Sequence, residues 1–195
     1  LLGIVAIGVT FTIIAGGIDL SVGSLVAFTG ALAAGFMARN GLPLAPALIL
    51  AVLAGAGLGL VNGFFIVKGG LQPFVATLAM MALARGLTLI YTQGRPISGM
   101  GDSFTFIGST VGPVPVPAVI FVLVFILSHI ILQRTPFGAY IYAVGGNEET
   151  ARLAGIKVQW IKLSSYVVSG ITAAIGGIVL AARLWSAQPQ AASGL

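Results

Sequence analysis

Six long apolar runs divide the chain, and a polar or charged residue closes each of them. They are Leu1 to Ile18, Leu20 to Ala38, Leu44 to Val67, Phe74 to Thr92, Val116 to Leu132 and Leu163 to Ala182. At 1.5 Å per residue, about 20 such residues form a helix that crosses the hydrocarbon core of a bilayer. The runs are continuously apolar, whereas membrane-barrel strands alternate in polarity and are about 10 residues long. The predicted fold is therefore all-α, a polytopic transmembrane helix bundle with about six spans.

Within three of these runs small residues recur every fourth position. The second carries Gly23, Ala27, Ala31 and Gly35. The third carries Ala51, Gly55, Gly59 and Gly63, and the sixth carries Ser165, Ser169, Ala173, Gly177 and Ala181. Residues four apart share a helix face, and small ones let two backbones approach closely in lipid. The ladders predict a tight bundle and say nothing about function.

Composition supports the membrane reading. The chain is 58% hydrophobic and only 7% charged, against about 25% charged in a soluble domain, so it cannot cover a water-facing surface. Its mean hydropathy is +1.11. The net charge of +5 then reports topology rather than nucleic-acid binding, since no basic cluster is interleaved with aromatics. The longest polar segment, Gln133 to Lys162, holds Arg134, Arg152, Lys157 and Lys162. The excess of cations on cytoplasmic loops places it in the cytoplasm. Alternation then puts Lys68 on the same side, Arg39, Arg95 and Arg183 on the other, and Asp19 toward the cytoplasmic half. No cationic n-region or cleavage site makes Leu1 to Ile18 a signal peptide. A start at Leu1, inside an apolar run, is read as that of an internal fragment of a larger membrane protein.

Candidate chemistry is sparse. With no cysteine and one histidine, neither a disulfide framework nor a metal centre is expected. No lysine follows a glycine, so the phosphate-cradling loop of nucleotide hydrolases is absent from the sequence, as is the paired-histidine zinc motif. Of four carboxylates only Glu148 and Glu149 are neighbours. The chain reads as a non-enzyme that needs no cofactor. The segment "GGNEETARLAGI", Gly145 to Ile156, does predict a short helix. Asn147 is a good N-cap, Glu148 and Glu149 complement the positive helix start, and Gly155 suits the stop. Ala151 and Leu153 offer an apolar contact and Arg152 a charge. It reads either as a connecting helix or as a docking element for a soluble partner.

Four ordered blocks, "GGIDLSVGS", "ATLAMMALARGLTLIYTQGRPISG", "TPFGAYIYAVGGNEETARLAGI" and "SAQPQAASG", resemble the membrane permease of bacterial ABC importers for monosaccharides, the ribose type most of all. The resemblance covers essentially the whole chain. It implies one transmembrane permease domain over residues 1–195, holding about six of roughly ten spans, with residues 133–162 as its cytoplasmic coupling loop. It implies a multi-pass protein of the bacterial inner membrane. The implied partners are a second permease subunit (homo- or heterodimer), a cytoplasmic ABC ATPase and a periplasmic sugar-binding protein. Carried onto this sequence, the family's ATPase-coupling helix is Asn147 to Ala154, including Thr150, with Gly146 and Gly155 at its ends.

Polar residues inside the runs are the path candidates: Asp19, Ser21, Ser24, Asn62, Thr77, Arg85 and Gln93. Arg85 is the most expensive, at about 2.5–3.5 kcal/mol for a charge at mid-span. It reads as glue between helices or as a residue lining the path. Asp19 or Ser21 reads as the cap of the second span, or as part of an irregular polar segment at the Gly16–Gly17 break. If that break dips into the bilayer, Asp19 becomes a candidate partner for Arg85. His129, Trp160 and Trp185 read as interfacial side chains near span ends, and "GPVPVP" (Gly112 to Pro117) as a rigid entry to the fifth span. Two rival functions remain: a secondary, ion-coupled transporter, and a related ABC permease for a non-sugar solute such as an amino acid.

Overall fold

A computed structural model describes residues 1–192. Ser193 and Gly194, the last two residues of the fourth block above, lie outside the described residues, as does Leu195 at the end of the 1–195 domain.

Nine helices follow one another among the described residues: α1 (Leu2–Ile14), α2 (Val22–Ala38), α3 (Leu44–Val67), α4 (Pro73–Thr92), α5 (Asp102–Thr105), α6 (Val116–Arg134), α7 (Pro136–Gly146), α8 (Glu148–Leu153) and α9 (Val158–Arg183). Between α5 and α6 lie a 3-10 turn, Phe106–Gly108, and a two-residue antiparallel hairpin, β1 (Thr110–Val111) with β2 (Val114–Pro115). The bundle is all-α apart from that hairpin. Four helices are long and apolar enough to cross a membrane, α3, α4, α6 and α9, and α1 and α2 are shorter apolar helices.

The first run does not stay helical to Ile18. Its helix ends at Ile14, where the N–H groups of Gly16 and Gly17 fold back onto Ile13 and Thr12 and Gly16 takes φ +78°. An L side chain rarely adopts that φ, so a glycine ends the helix there. At the other end of the chain, α9 begins at Val158, five residues before the expected Leu163. The apolar run marks what the bilayer can hold, but backbone hydrogen bonding continues past it. The segment 133–162 holds a second helix, α7, beside the short one expected in it. Thr135 alone separates α6 from α7. Its hydroxyl accepts from the Gly138 N–H, and Pro136 occupies the first helical position, where its missing N–H costs nothing.

The centre of the molecule is α9, packed chiefly on α3, α2 and α1. Its most extensive contact, with α3, is made of small residues. A Cβ placed on Gly55 would stand 2.6 Å from the Gly170 carbonyl oxygen, and one on Gly170 would stand 2.2 Å from that of Gly55. On the α2 side a Cβ on Gly177 would meet the Val26 carbonyl oxygen at 2.3 Å. Such contacts gain dispersion and weak Cα–H···O bonding only because no side chain intervenes. The ladder residues of α2, α3 and α9 are all buried. Gly170 and Gly30 belong to no ladder, yet they stand in the same close contacts. By contrast α6 has no buried residue and shows Val122, Leu123, Phe125 and Leu127 to its surroundings. Among the described residues α6 therefore carries an apolar surface that no other helix covers.

The C-terminal ends of α2 and α4 are tied together. Arg39 donates to the Tyr91 carbonyl at 2.7 Å and its guanidinium lies 5.6 Å from the Tyr91 ring centroid. At the opposite end of the bundle, α7 and α8 gather with the start of α9 and the α1–α2 break around Phe11, Ile141, Val144 and Ala151.

Candidate functional site

The end of the bundle formed by α7, α8 and α9 carries an exposed element with a fixed shape. Asn147 is extended (φ −158°) and its side chain accepts the Thr150 N–H at 2.9 Å, capping α8. Glu148 and Glu149 fill the first turn, where acids favour the helix dipole. After Ala154, Gly155 takes φ +82°. Its N–H bonds to the Arg152 carbonyl and the Ile156 N–H bonds to that of Ala151, each at 3.0 Å. This reciprocal pair is a Schellman stop. Both ends of a six-residue helix, too short to persist alone, are thus satisfied.

Only Ala151 of α8 is buried, seated against the cluster that includes Val158 and Ile161. Leu153 is 82% exposed. Glu149 pairs with Arg152 at 3.0 Å on the open side, and Glu148 pairs with Lys162 of α9. Beside α8 lies an open hollow of about 420 Å³ lined by Glu148, Arg152, Ile156, Lys157, Gln159 and Trp160. An exposed leucine, a flanking ion pair and a hollow on a helix pinned at both ends can seat a partner surface.

The second feature is buried. The Asp19 side chain lies between the α1–α2 break and α9, and the residue is 3% exposed. Its Oδ1 accepts from the Ser21 N–H at 3.0 Å and from the Ser21 hydroxyl at 2.6 Å. Its Oδ2 accepts from the Ser169 hydroxyl at 2.7 Å. Asn62 of α3 donates to Ser21 Oγ at 3.0 Å, joining a third element. Three donors thus converge on its two oxygens, and both oxygens accept. Ser24, one turn into α2, has a buried hydroxyl with no partner among the described residues.

The expected roles are only partly brought together here. Asp19, Ser21 and Asn62 meet, but in the interior. Ser21 stands at the N-cap position of α2 without a side-chain cap bond, because its hydroxyl is committed to Asp19. Asp19 instead closes a turn onto the Ser21 N–H. The Asp19–Arg85 pair does not form: both carboxylate oxygens are taken by serines, and the ion pairs among the described residues leave out Arg85. Arg85 is half-buried. Thr77 is buried, but its hydroxyl returns to the Pro73 carbonyl at 2.8 Å. Gln93 is exposed past the end of α4, at φ +56°, on the other side of the bundle from Asp19. His129 is exposed and stacks on Phe125 at 6.3 Å, and Trp160 and Trp185 stand exposed near the two ends of α9. Ser169, read from sequence only as a packing residue, and Lys162 are the two the sequence reading missed. Their partners lie 150 and 14 residues away, and no local pattern marks either pairing.

The fold defines a multi-pass α-helical membrane protein. Residues 1–195 match the sequence model of a family described as branched-chain amino acid transport system / permease component, and the chain belongs to that family. It is 47% identical over 193 residues to the ribose import permease protein RbsC of Bacillus subtilis, covering 97% of this chain and 59% of that protein. It is 45% identical over 197 residues to the protein of the same name in Escherichia coli (strain K12), covering 98% and 61%. With the D-allose transport system permease protein AlsC of the same strain it shares 35% over 192 residues, 98% and 59%. The chain thus spans about three-fifths of the length of these relatives. No solved structure matches it significantly.

Proposed function

We propose that residues 1–195 are one transmembrane domain of the permease subunit of an ATP-binding-cassette importer, and that the path carries a ribose-like sugar. The observation that carries this reading is the identity of 45–47% to ribose import permeases along nearly the whole chain. The family description speaks of branched-chain amino acids, which keeps an amino-acid permease as the second reading. The three relatives described above are named for sugars, and the sugar reading follows them.

In this reading the domain lies in the bacterial inner membrane with residues 133–162 in the cytoplasm, where Arg134, Arg152, Lys157 and Lys162 satisfy the positive-inside bias. ATP is hydrolysed in a separate cytoplasmic ATPase. A periplasmic binding protein delivers the sugar, and a second permease subunit completes the path. Residues Asn147 to Ala154 are the coupling helix. Capping at Asn147 and Gly155 supports that role, because a stiff helix passes on a push that a frayed loop would absorb.

The test is uptake of labelled ribose into vesicles holding the full-length protein, with and without its ATPase and binding protein. Uptake that needs all three and ATP is the expected result. Uptake driven by an ion gradient without the ATPase overturns the importer reading. Equal uptake of leucine and rejection of ribose favour the amino-acid one. Within the same system, Glu149→Arg or Arg152→Glu is expected to lower ATPase assembly and transport-linked hydrolysis. Unchanged assembly would remove those side chains from the docking surface.

A further inference from the structure

Among the described residues only three side chains of α9 hydrogen-bond to another element: Lys162 to Glu148 of α8, Tyr166 to the Ile18 carbonyl at 3.5 Å, and Ser169 to Asp19. The Tyr166 contact is at the limit of a hydrogen bond. The Ser169–Asp19 bond is buried and the Lys162–Glu148 pair is partly exposed, and they lie seven residues apart on one unbroken helix. Seven residues make about two turns and a rise of about 10 Å. Lys162 and Ser169 therefore point along the same face of α9, one toward the exposed helix α8 and the other toward the buried carboxylate.

Where α9 comes closest to α3 and α2 it does so through backbone, while large side chains such as Tyr166, Ile161 and Ile178 are buried elsewhere along it. Gly55 faces Gly170, Gly59 faces Tyr166 and Gly177 faces Val26, backbone to backbone. Ridges of large side chains lock two helices against sliding, and these helices meet without them at those levels. A buried polar contact can set register where apolar packing leaves it open. The Asp19 carboxylate is such a contact, since it is held by α2 through Ser21 and by α9 through Ser169.

We propose that the Asp19–Ser169 hydrogen bond is a register pin. It fixes the axial position of α9 against the α1–α2 break and α3, and it couples that position to α8 through Lys162 and Glu148. Asp19 and Ser169 are positioning residues in this scheme. Neither touches the transported solute. The link to transport rests on the reading of α8 as the ATPase-facing helix, but the register itself does not.

The experiment therefore has two readouts on the full-length protein in vesicles with its ATPase and binding protein. The first is the distance distribution between spin labels at Lys68→Cys and Gln159→Cys, exposed positions at the end of α3 and the start of α9. The second is labelled ribose carried per ATP hydrolysed. Ser169→Ala and Asp19→Ala are expected to widen or displace the distribution by about 1–2 Å, the scale of helix shifts in switching proteins. They are expected to lower ribose per ATP by at least about fivefold, the low end of coupling between linked sites. Ser165→Ala is the matched control. That hydroxyl is equally buried on α9 but returns to its own helix at the Lys162 carbonyl, so both readouts should stay at the wild-type level. A distribution unchanged in Ser169→Ala and in Asp19→Ala overturns the pin, as does a Ser165→Ala shift equal to that of Ser169→Ala. Asp19→Ala removes both acceptor oxygens, so it decides the matter should Ser169→Ala not assemble. If the wild type shows no ATP-driven uptake, the importer reading fails, and the distances alone decide the register.

Discussion

Gly59 of α3 lies directly against the main chain of Tyr166 of α9, so that a Cβ on Gly59 would stand 2.3 Å from the Tyr166 carbonyl oxygen and 3.0 Å from its carbon. Both neighbours are backbone and cannot rotate away. Gly59→Ala must therefore push α3 from α9, and overpacking of this kind costs about 1–3 kcal/mol. Gly57, two residues earlier, has nothing within 4 Å of the same added atom. The expected result is a lower thermal midpoint in detergent for Gly59→Ala, and an unchanged or slightly higher one for Gly57→Ala, which relieves a helical glycine. Equal midpoints for the two variants would remove the backbone contact as a source of stability.

A similar argument fixes what Asp19 does for stability. Asp19→Leu leaves the Ser21 N–H, the Ser21 hydroxyl and the Ser169 hydroxyl without their acceptor. Each buried group left unsatisfied costs about 1–3 kcal/mol. The variant is expected to unfold earlier in a detergent melt than Ser24→Ala, whose hydroxyl has no partner among the described residues. The charge exchange Asp19→Arg with Arg85→Asp is expected to rescue nothing, because the two are not paired. Recovery of folding in the double variant would show that they meet after all.

These two sites show what the sequence could reveal. The apolar runs located α3, α4 and α6 to within one or two residues, because a bilayer demands long uninterrupted stretches. Asn147 and Gly155 were legible as ends of α8 because caps are local chemistry, set by residues within four positions. The start of α9 was not, since Val158 to Lys162 helix beyond the apolar window. Nor was α7 read as a helix, although Thr135 followed by Pro136 is a start signal, because mixed residues between Phe137 and Gly146 carry no span-length pattern. The partner of Asp19 could not be read at all. A serine in a small-residue ladder looks the same whether it merely lets helices approach or also donates to a carboxylate 150 residues away.

The caps of α8 predict a separable effect on order. Asn147→Ala removes the acceptor for the Thr150 N–H, a loss of about 1 kcal/mol for a typical N-cap. Gly155→Ala puts a side chain at φ +82°. Both variants should raise amide hydrogen exchange from Thr150 to Leu153 and leave the spans protected. Glu149→Gln should barely change exchange, because its pair with Arg152 is exposed on both sides and exposed pairs contribute about 0–1 kcal/mol. A uniform rise across the whole bundle in Asn147→Ala would mean that α8 is not an independently ordered cap.

Arg85 gives the last prediction. It sits midway along α4, half-buried, and no side-chain hydrogen bond or ion pair among the described residues involves it. A cation at that depth is costly unless it faces water or a partner. A helix-glue role would require protein acceptors, and none is bonded to Arg85 among the described residues. On the proposed importer reading, the expectation is that its guanidinium faces a water-filled path, where its donors suit the hydroxyls of a sugar. Arg85→Leu should then insert at least as well as the wild type, gaining about 2.5–3.5 kcal/mol on the translocon scale. Its thermal midpoint should hold while ribose uptake falls. Arg85→Lys should retain part of the uptake, because it keeps the charge but loses the planar donor fork. A lowered midpoint in Arg85→Leu, with uptake per folded protein unchanged, would assign the residue to packing instead.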